Sequence, residues 1–303
     1  MKNLKGSLIL FTAAFFWGTT FVAQVNGSDH LGVFTYNASR SFVGFLFLLI
    51  VALLNDNRKK ANTGTATTPS KWPVKGGIVC GIVLFFAMAT QQTGISLYPK
   101  QVAAAGRSGF LTAIYVVIVA VIVAIAGKKL QGFVVISVIG TVCGMYLLCL
   151  KDGFSGIYIG DLFGLVCAFC FAGHILVVDH YNRADCIKLS CLQFLTAGTL
   201  SLLSCLFTEQ IVIKDIIAAA PAIFYAGIFS SGVAYTLQMV GQKYTKPAIA
   251  SIVMSLESVI AVVAGAIVLH EVLSGREILG CTIVFASVIL VQIPGFLKKN
   301  ASE

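Results

Sequence analysis

This chain is built almost throughout from apolar stretches about twenty residues long, set apart by short polar breaks. A helix rising 1.5 Å per residue crosses the roughly 30 Å hydrocarbon core of a bilayer in about 20 residues. Breaks at charges, glycines and prolines predict ten such spans, at 5–25, 32–54, 74–96, 101–126, 131–150, 158–180, 187–207, 216–241, 247–269 and 277–296. Composition agrees, with 58% hydrophobic and only 11% charged residues, where a soluble domain needs about a quarter charged. The expected fold class is an all-α polytopic membrane protein. The N-terminal stretch resembles a signal peptide in carrying Lys2 and Lys5 before its apolar run. No small-x-small cleavage site follows, so it reads as a retained first helix. The polar link at 55–73 reads as a flexible loop.

Basic residues set the orientation. With the N-terminus cytoplasmic, fifteen of the 21 Lys and Arg fall in inner segments and four in outer loops, while Arg40 and Arg107 lie inside spans. That bias predicts both termini in the cytoplasm and an even number of crossings of the cell membrane. The net charge of +9 is then an orientation signal, and no separate basic domain suggests nucleic acid. The nine cysteines lie mostly within apolar runs. Cys167 and Cys170 are one helical turn apart, but no second pair completes a metal site, so they read as small hydrophobes.

The halves echo one another. At a constant offset of 146, Thr90, Gln92, Tyr98, Lys100 and Ala104 match Thr236, Gln238, Tyr244, Lys246 and Ala250. After a length difference of three, Leu130 and Gly132 match Leu273 and Gly275. The expected division is a first five-helix repeat at 1–150 and a second at 151–303. An odd number of crossings per repeat makes the second enter from the opposite side, giving two inverted five-helix repeats with a site near the midplane.

Ionisable side chains inside apolar spans are the site candidates, because a charge at the bilayer centre costs at least about 2.5 kcal/mol and turns toward protein or water. Glu257 lies ten residues past Pro247, about 15 Å into its helix. Arg107 and Arg40 sit roughly 9–12 Å below the outer boundary. Either arginine reaches toward Glu257 in a helix-holding ion pair or toward a substrate carboxylate, and the sequence leaves both readings open. Arg107 also has a third course, snorkelling outward, and a packing or helix-orienting role is expected of Arg40. Trp17 is deeper than a belt tryptophan and is a candidate for lining a cavity, with Gly18 beside it allowing close helix approach. Gln91, Gln92 and Gln238 suit interhelical hydrogen bonds or substrate contact. Tyr115 and Tyr235 offer a ring and a hydroxyl to an organic substrate, or simply pack. His174 is either a hydrogen-bonded core histidine or a pH-sensitive element. Glu271 reads as an orienting residue in an outer turn.

Four stretches together, "FFWGTTFVAQ" (15–24), "AAAGRSGFLTAIYVV" (103–117), "GVAYTLQMVGQKYT" (232–245) and "SLESVIAVVAGAIVLHEVLSGREILG" (255–280), resemble the drug/metabolite transporter superfamily, in its ten-helix EamA-type branch. The resemblance covers nearly the whole chain. The first half departs from the pattern in having Lys128 where the second has Glu271. The resemblance implies a secondary transporter exporting a small organic metabolite, amino acid-like or drug-like. An uptake permease or exchanger is the alternative, and a non-transporting receptor or scaffold the alternative of another class. The chain has no GxSxG elbow, HExxH or P-loop, so no enzyme and no cofactor is expected. An intramembrane enzyme using Glu257 and His174 would draw its acid and base from different spans and depths, without a nucleophile. The expected partners are a small-molecule substrate and the lipid bilayer, with protons as candidate coupling ion, and the expected state is a monomer.

Overall fold

The computed structural model describes residues 2–63, 71–99, 102, 104–127, 130–149, 158–269 and 274–300, and every regular element among them is helical. In chain order these are α1 (Lys2–Ser28), α2 (Val33–Thr63), α3 (Val74–Ser96), α4 (Ala104–Ala113), α5 (Tyr115–Ile125), α6 (Gly132–Cys149), α7 (Ile159–His180) and α8 (Cys186–Thr208). The short α9 (Ile213–Ala218) and α10 (Ala220–Tyr225) lead into a π-helical segment, Ala226–Ala234. Then come α11 (Tyr235–Gln242), α12 (Pro247–Met254), α13 (Leu256–Leu269) and α14 (Gly275–Asn300).

Among the described residues, eight helical stretches are long and apolar enough to cross a membrane, α4 with α5, α10 through α11, and α12 with α13 each counting as one. The fifth and tenth expected spans correspond to shorter apolar helices, Gly132–Leu147 and Ile278–Val291. Backbone polar groups have no water to bond in hydrocarbon, so an all-helical chain of this composition is a multi-pass membrane protein. Its outer surface agrees: large apolar side chains stand exposed on nearly every long helix, Phe207 at 87% and Ile125 at 81% among them, as a lipid surrounding favours.

One expectation changes: the link at 55–73 is not a loop throughout, because α2 continues helical to Thr63. The connection after the seventh expected span carries the short helix α9. The 150/151 boundary, Lys100, Lys128 and the Glu271 turn lie outside the described residues.

Two crossings are broken in mid-course. Between α12 and α13, the hydroxyls of Ser251, Ser255 and Ser258 donate to the carbonyls three residues back, at 3.0, 2.7 and 2.8 Å. Such back-bonding bends helices, and Ser255 itself flattens to ψ −12°. Between α4 and α5, Ile114 does the same at ψ −17°, with Val117 N–H bonding Ile114 O at 2.9 Å in a tight three-residue turn. Such 3₁₀ stretches inside a helix mark hinges or functional sites. The third irregularity, the π segment, places the small residues Gly227, Ser231 and Gly232 against α2.

The helices pack in long pairs: α2 along α8, α6 along α14, α3 against α7 and α8, and α1 along α13. The last pair depends on Gly18, since a Cβ there would stand 2.5 Å from Ile260 Cβ and 2.7 Å from the Glu257 carbonyl oxygen. Small residues drive such approaches where hydrophobic burial cannot. Gly18→Val should therefore destabilise the detergent-purified protein by about 1–3 kcal/mol, read as a lower thermal midpoint. Gly132→Ala, at a position with open space around it, should leave the midpoint unchanged.

Candidate functional site

The helix breaks open onto a hollow in the bundle whose empty space, with the part open to its surroundings included, is about 440 Å³. Helix α1 supplies one wall with Trp17, Thr20, Phe21 and Gln24, which at spacings of i, i+3, i+4 and i+7 share one helical face. Phe171 and Ile175 of α7 supply the facing apolar surface, and Tyr235 and Gln238 of α11 join them. Thr112 and Tyr115 flank the break at Ile114, while Met254 and Glu257 flank the break at Ser255. Arg40 of α2, Gln91 of α3 and Ser230 of the π segment complete the lining. Each irregularity of the backbone thus ends in a side chain facing this space.

Tyr235 is the hub of the aromatic packing. Its ring meets Trp17, Phe194 and His174 edge-on, with centroids 4.8, 5.2 and 5.7 Å apart, the offset geometry that ring quadrupoles favour. Polar groups around it are unusually unsatisfied. Glu257 is 5% exposed and Arg40 3%. Buried polar atoms of Trp17 (Nε1) and Gln238 (Oε1) have no hydrogen-bond partner, and the Tyr115 hydroxyl and the Glu257 carboxyl have only each other nearby, in no well-formed bond. Arg40 donates through Nε to Asn37 Oδ1 at 3.0 Å and lies over the Tyr36 ring at 5.5 Å. Glu257 starts α13, so the positive end of that helix dipole favours its carboxylate.

Six of the nine residues selected from sequence meet here: Glu257, Arg40, Trp17, Tyr115, Tyr235 and Gln238. Arg40, expected to orient a helix, lines the cavity as well as bonding within its own helix. The other three do not line it. Arg107 turns neither to Glu257 nor outward as a lone snorkelling charge. Its guanidinium grips Asp161 at the start of α7 through Nε and Nη2, at 2.6 and 2.7 Å, beneath the Tyr158 ring. Tyr98 donates to the same carboxylate at 2.8 Å. Gln92 bonds between helices, donating to Ser28 Oγ at 2.6 Å and to the Gln24 carbonyl. His174 is fully buried behind Tyr235, 3.1 Å from Gln193 Oε1.

Sequence reasoning missed Gln24, Thr20, Thr112 and Asp161. The first two were readable, because they share the helical face of Trp17. Gln24 heads a polar chain in which its amide donates to Gln91 and Gln92, and Gln91 passes on to Thr112. Asp161 gave a weaker signal, as a lone acid in the first turn of an apolar span. Lys188, counted among the inner-loop charges, is instead 1% exposed in the first turn of α8 and bonds Asp56 at 2.7 Å. Among the described residues no group of acidic, histidine or cysteine side chains is arranged to hold a metal.

The family model of the EamA-like transporter family matches residues 4–150 and again 158–293. The chain belongs to the EamA-like transporter family. This EamA-like protein is 28% identical over 296 residues to an uncharacterized transporter of Archaeoglobus fulgidus, covering 97% of the chain and 87% of that relative. A second uncharacterized transporter of the same organism is 28% identical over 110 residues, 36% of the chain and 38% of the relative. A protein of known crystal structure superposes on this EamA-like chain with a TM-score of 0.76 at 18% identity, over 95% of the chain and 96% of its own. At that identity the likeness is one of fold.

The Arg107–Asp161 pair yields a prediction. Removing one partner of this partly buried pair leaves the other charge poorly compensated. Asp161→Ala and Arg107→Ala should each lower the thermal midpoint, and the double variant should be no worse than the poorer single, a coupling that a double-mutant cycle reads directly.

Proposed function

We propose that this protein is a secondary carrier that exports a small organic metabolite, amino acid-like or drug-like, by alternating access around the central cavity. One observation carries the reading: two buried ionisable side chains and several unpartnered polar atoms face a single space lined from both halves of the chain. Membership in a transporter family supports transport in place of catalysis. Export is the direction implied by the sequence resemblance.

In this reading ten crossings, with α6 and α14 as the fifth and tenth, form two inverted repeats in the cell membrane with both termini cytoplasmic. The family model supports the repeat by matching twice, from residues 4 and 158. At that spacing of 154, Trp17 corresponds to Phe171 and Phe21 to Ile175, and all four line the cavity. Gly6 and Gly160 correspond likewise, and each backs onto another glycine. A Cβ on Gly6 would stand 3.0 Å from the Gly241 carbonyl, and one on Gly160 2.7 Å from that of Gly94.

Two ion pairs close opposite ends of this arrangement. Arg107–Asp161 joins α4 of the first half to α7 of the second, at the outer end of the proposed topology. Asp56–Lys188 joins α2 to α8 at the inner end. Alternating access requires one to part while the other holds, with the helix breaks at Ile114 and Ser255 absorbing the motion. A monomer is complete in this scheme, and protons are a candidate for the coupling ion.

The test is flux in proteoliposomes loaded with candidate metabolites and compared with uptake into empty ones. Wild-type protein should release a substrate that protein-free vesicles retain. Glu257→Gln, reconstituted at equal density, should slow release at least about tenfold, the effect of losing about 1.4 kcal/mol. Unchanged flux in that variant would remove Glu257 from the mechanism, and ligand binding that never leads to flux would favour a receptor.

A further inference from the structure

We propose that the π-helical segment Ala226–Ala234 is a register switch, whose surplus residue moves along the helix and turns the Tyr235 ring out of the cavity. The inference rests on the carrier reading and names a moving part within it.

The winding of this crossing makes the switch possible. Ala220–Gln242 is one span, and nine of its residues are π-helical. The Tyr235 N–H donates to the Ser230 carbonyl, five residues back, so each such turn encloses one residue more than a turn of α-helix. Passing from π to α exchanges that acceptor for the carbonyl four residues back. No backbone group loses its partner, and the change is open to a helix in hydrocarbon. The segment "AGIFSSGVA" also holds two glycines and two serines, residues that commit it strongly to neither winding.

Both ends of the crossing are held, which decides how it can move. On one side the Tyr225 hydroxyl meets Thr19 Oγ1 of α1 at 2.7 Å, and Phe229 stacks on Phe16 of the same helix. On the other, Gln242 donates to the Ile175 carbonyl of α7 at 3.0 Å, and Met239 sits in an apolar cluster with Cys80, Val178 and Leu189. The surplus residue cannot leave the helix, but it can pass along it. In between, the segment meets α2 through small residues of its own. A Cβ on Gly227 would stand 3.0 Å from the Arg40 carbonyl, and one on Gly44 of α2 would stand 2.6 Å from Ser231 Cβ. Such a surface has no long side chain to withdraw when the backbone turns.

The turn exchanges a large residue for a small one. Rewinding as α-helix advances the residues that follow by about one position, or about 100° at 3.6 residues per turn. Ala234 then takes the place of Tyr235, and Tyr235 takes that of the partly buried Thr236. Ala234 is fully buried and does not line the cavity, whereas Tyr235 does. Trp17, Phe194 and His174 all converge on the Tyr235 ring, so its withdrawal remakes one wall of the cavity.

The experiment uses the full-length chain in proteoliposomes, with the native cysteines replaced and one thiol introduced at a time. A sulfonated maleimide, which does not cross lipid, reads which residue faces water. Gln238→Cys, on the cavity wall, is the reference. Ala234→Cys should be alkylated as the register alternates, and Thr236→Cys, on the other side of Tyr235, should react at least about tenfold more slowly. Deleting Ile228 removes the surplus residue, so it should slow labelling of Ala234→Cys at least about tenfold and leave Gln238→Cys reactive. That deletion should preserve the thermal midpoint, while deletion of Leu195 in the regular helix α8 should lower it. The proposal is overturned if Ala234→Cys stays inert, if Thr236→Cys reacts equally well, or if labelling survives the deletion. It is overturned too if losing Ile228 destabilises the protein as much as losing Leu195. Flux separates the two claims. Alternating labelling without flux of any loaded metabolite removes the carrier and keeps the switch. Flux that the Ile228 deletion leaves unchanged removes the switch and keeps the carrier.

Discussion

The structure is organised around the cost of holding charge where there is no water. In hydrocarbon every polar group needs a partner inside the protein, and an ionised group needs one most. The described charges within the bundle answer this requirement in two ways. Arg107 and Lys188 each take a carboxylate from the other half of the chain, and these contacts tie α4 to α7 and α2 to α8. Arg40 and Glu257 instead face a common hollow. The first solution fastens the bundle near its ends, and the second leaves two ionisable groups lining the same hollow.

The backbone is shaped to serve that middle. Three crossings depart from regular α-helix, at Ile114, at Ser255 and through Ala226–Ala234. Tyr115 and Glu257 follow directly from the first two, and Ser230 sits in the third. An unbroken helix presents a continuous ridge of side chains to its neighbours. A broken one turns aside and leaves room for a hollow in an otherwise tightly packed bundle. Close packing elsewhere compensates, as where Gly18 lets α1 and α13 meet along their length.

Much of this was legible in the sequence because lipid imposes simple rules. Twenty-residue apolar runs gave the helices, and charges inside them singled out Glu257 and Arg40. What periodicity and depth could not convey was partnership. Arg107 lies short of the midplane but within side-chain reach of it, and its partner Asp161 is 54 residues away and was invisible without the fold. Lys188 read as a loop charge because its position at a helix start is also where orientation signals gather. The break at Ser255 was written in the serines at 251, 255 and 258, whereas the break at Ile114 has no such local mark. Gln24 was overlooked although it repeats the face of Trp17, because a lone glutamine near a helix end looks like ordinary interhelical bonding.

The central claim is that this hollow opens to each side of the membrane in turn. With the native cysteines replaced, Ser230→Cys places one thiol in its wall. Alkylation by a membrane-impermeant reagent can then be followed in right-side-out and inside-out vesicles. The account predicts labelling from both faces, slowed in each case by bound ligand. A thiol that reacts from one face only, or from neither while the protein transports, would contradict it.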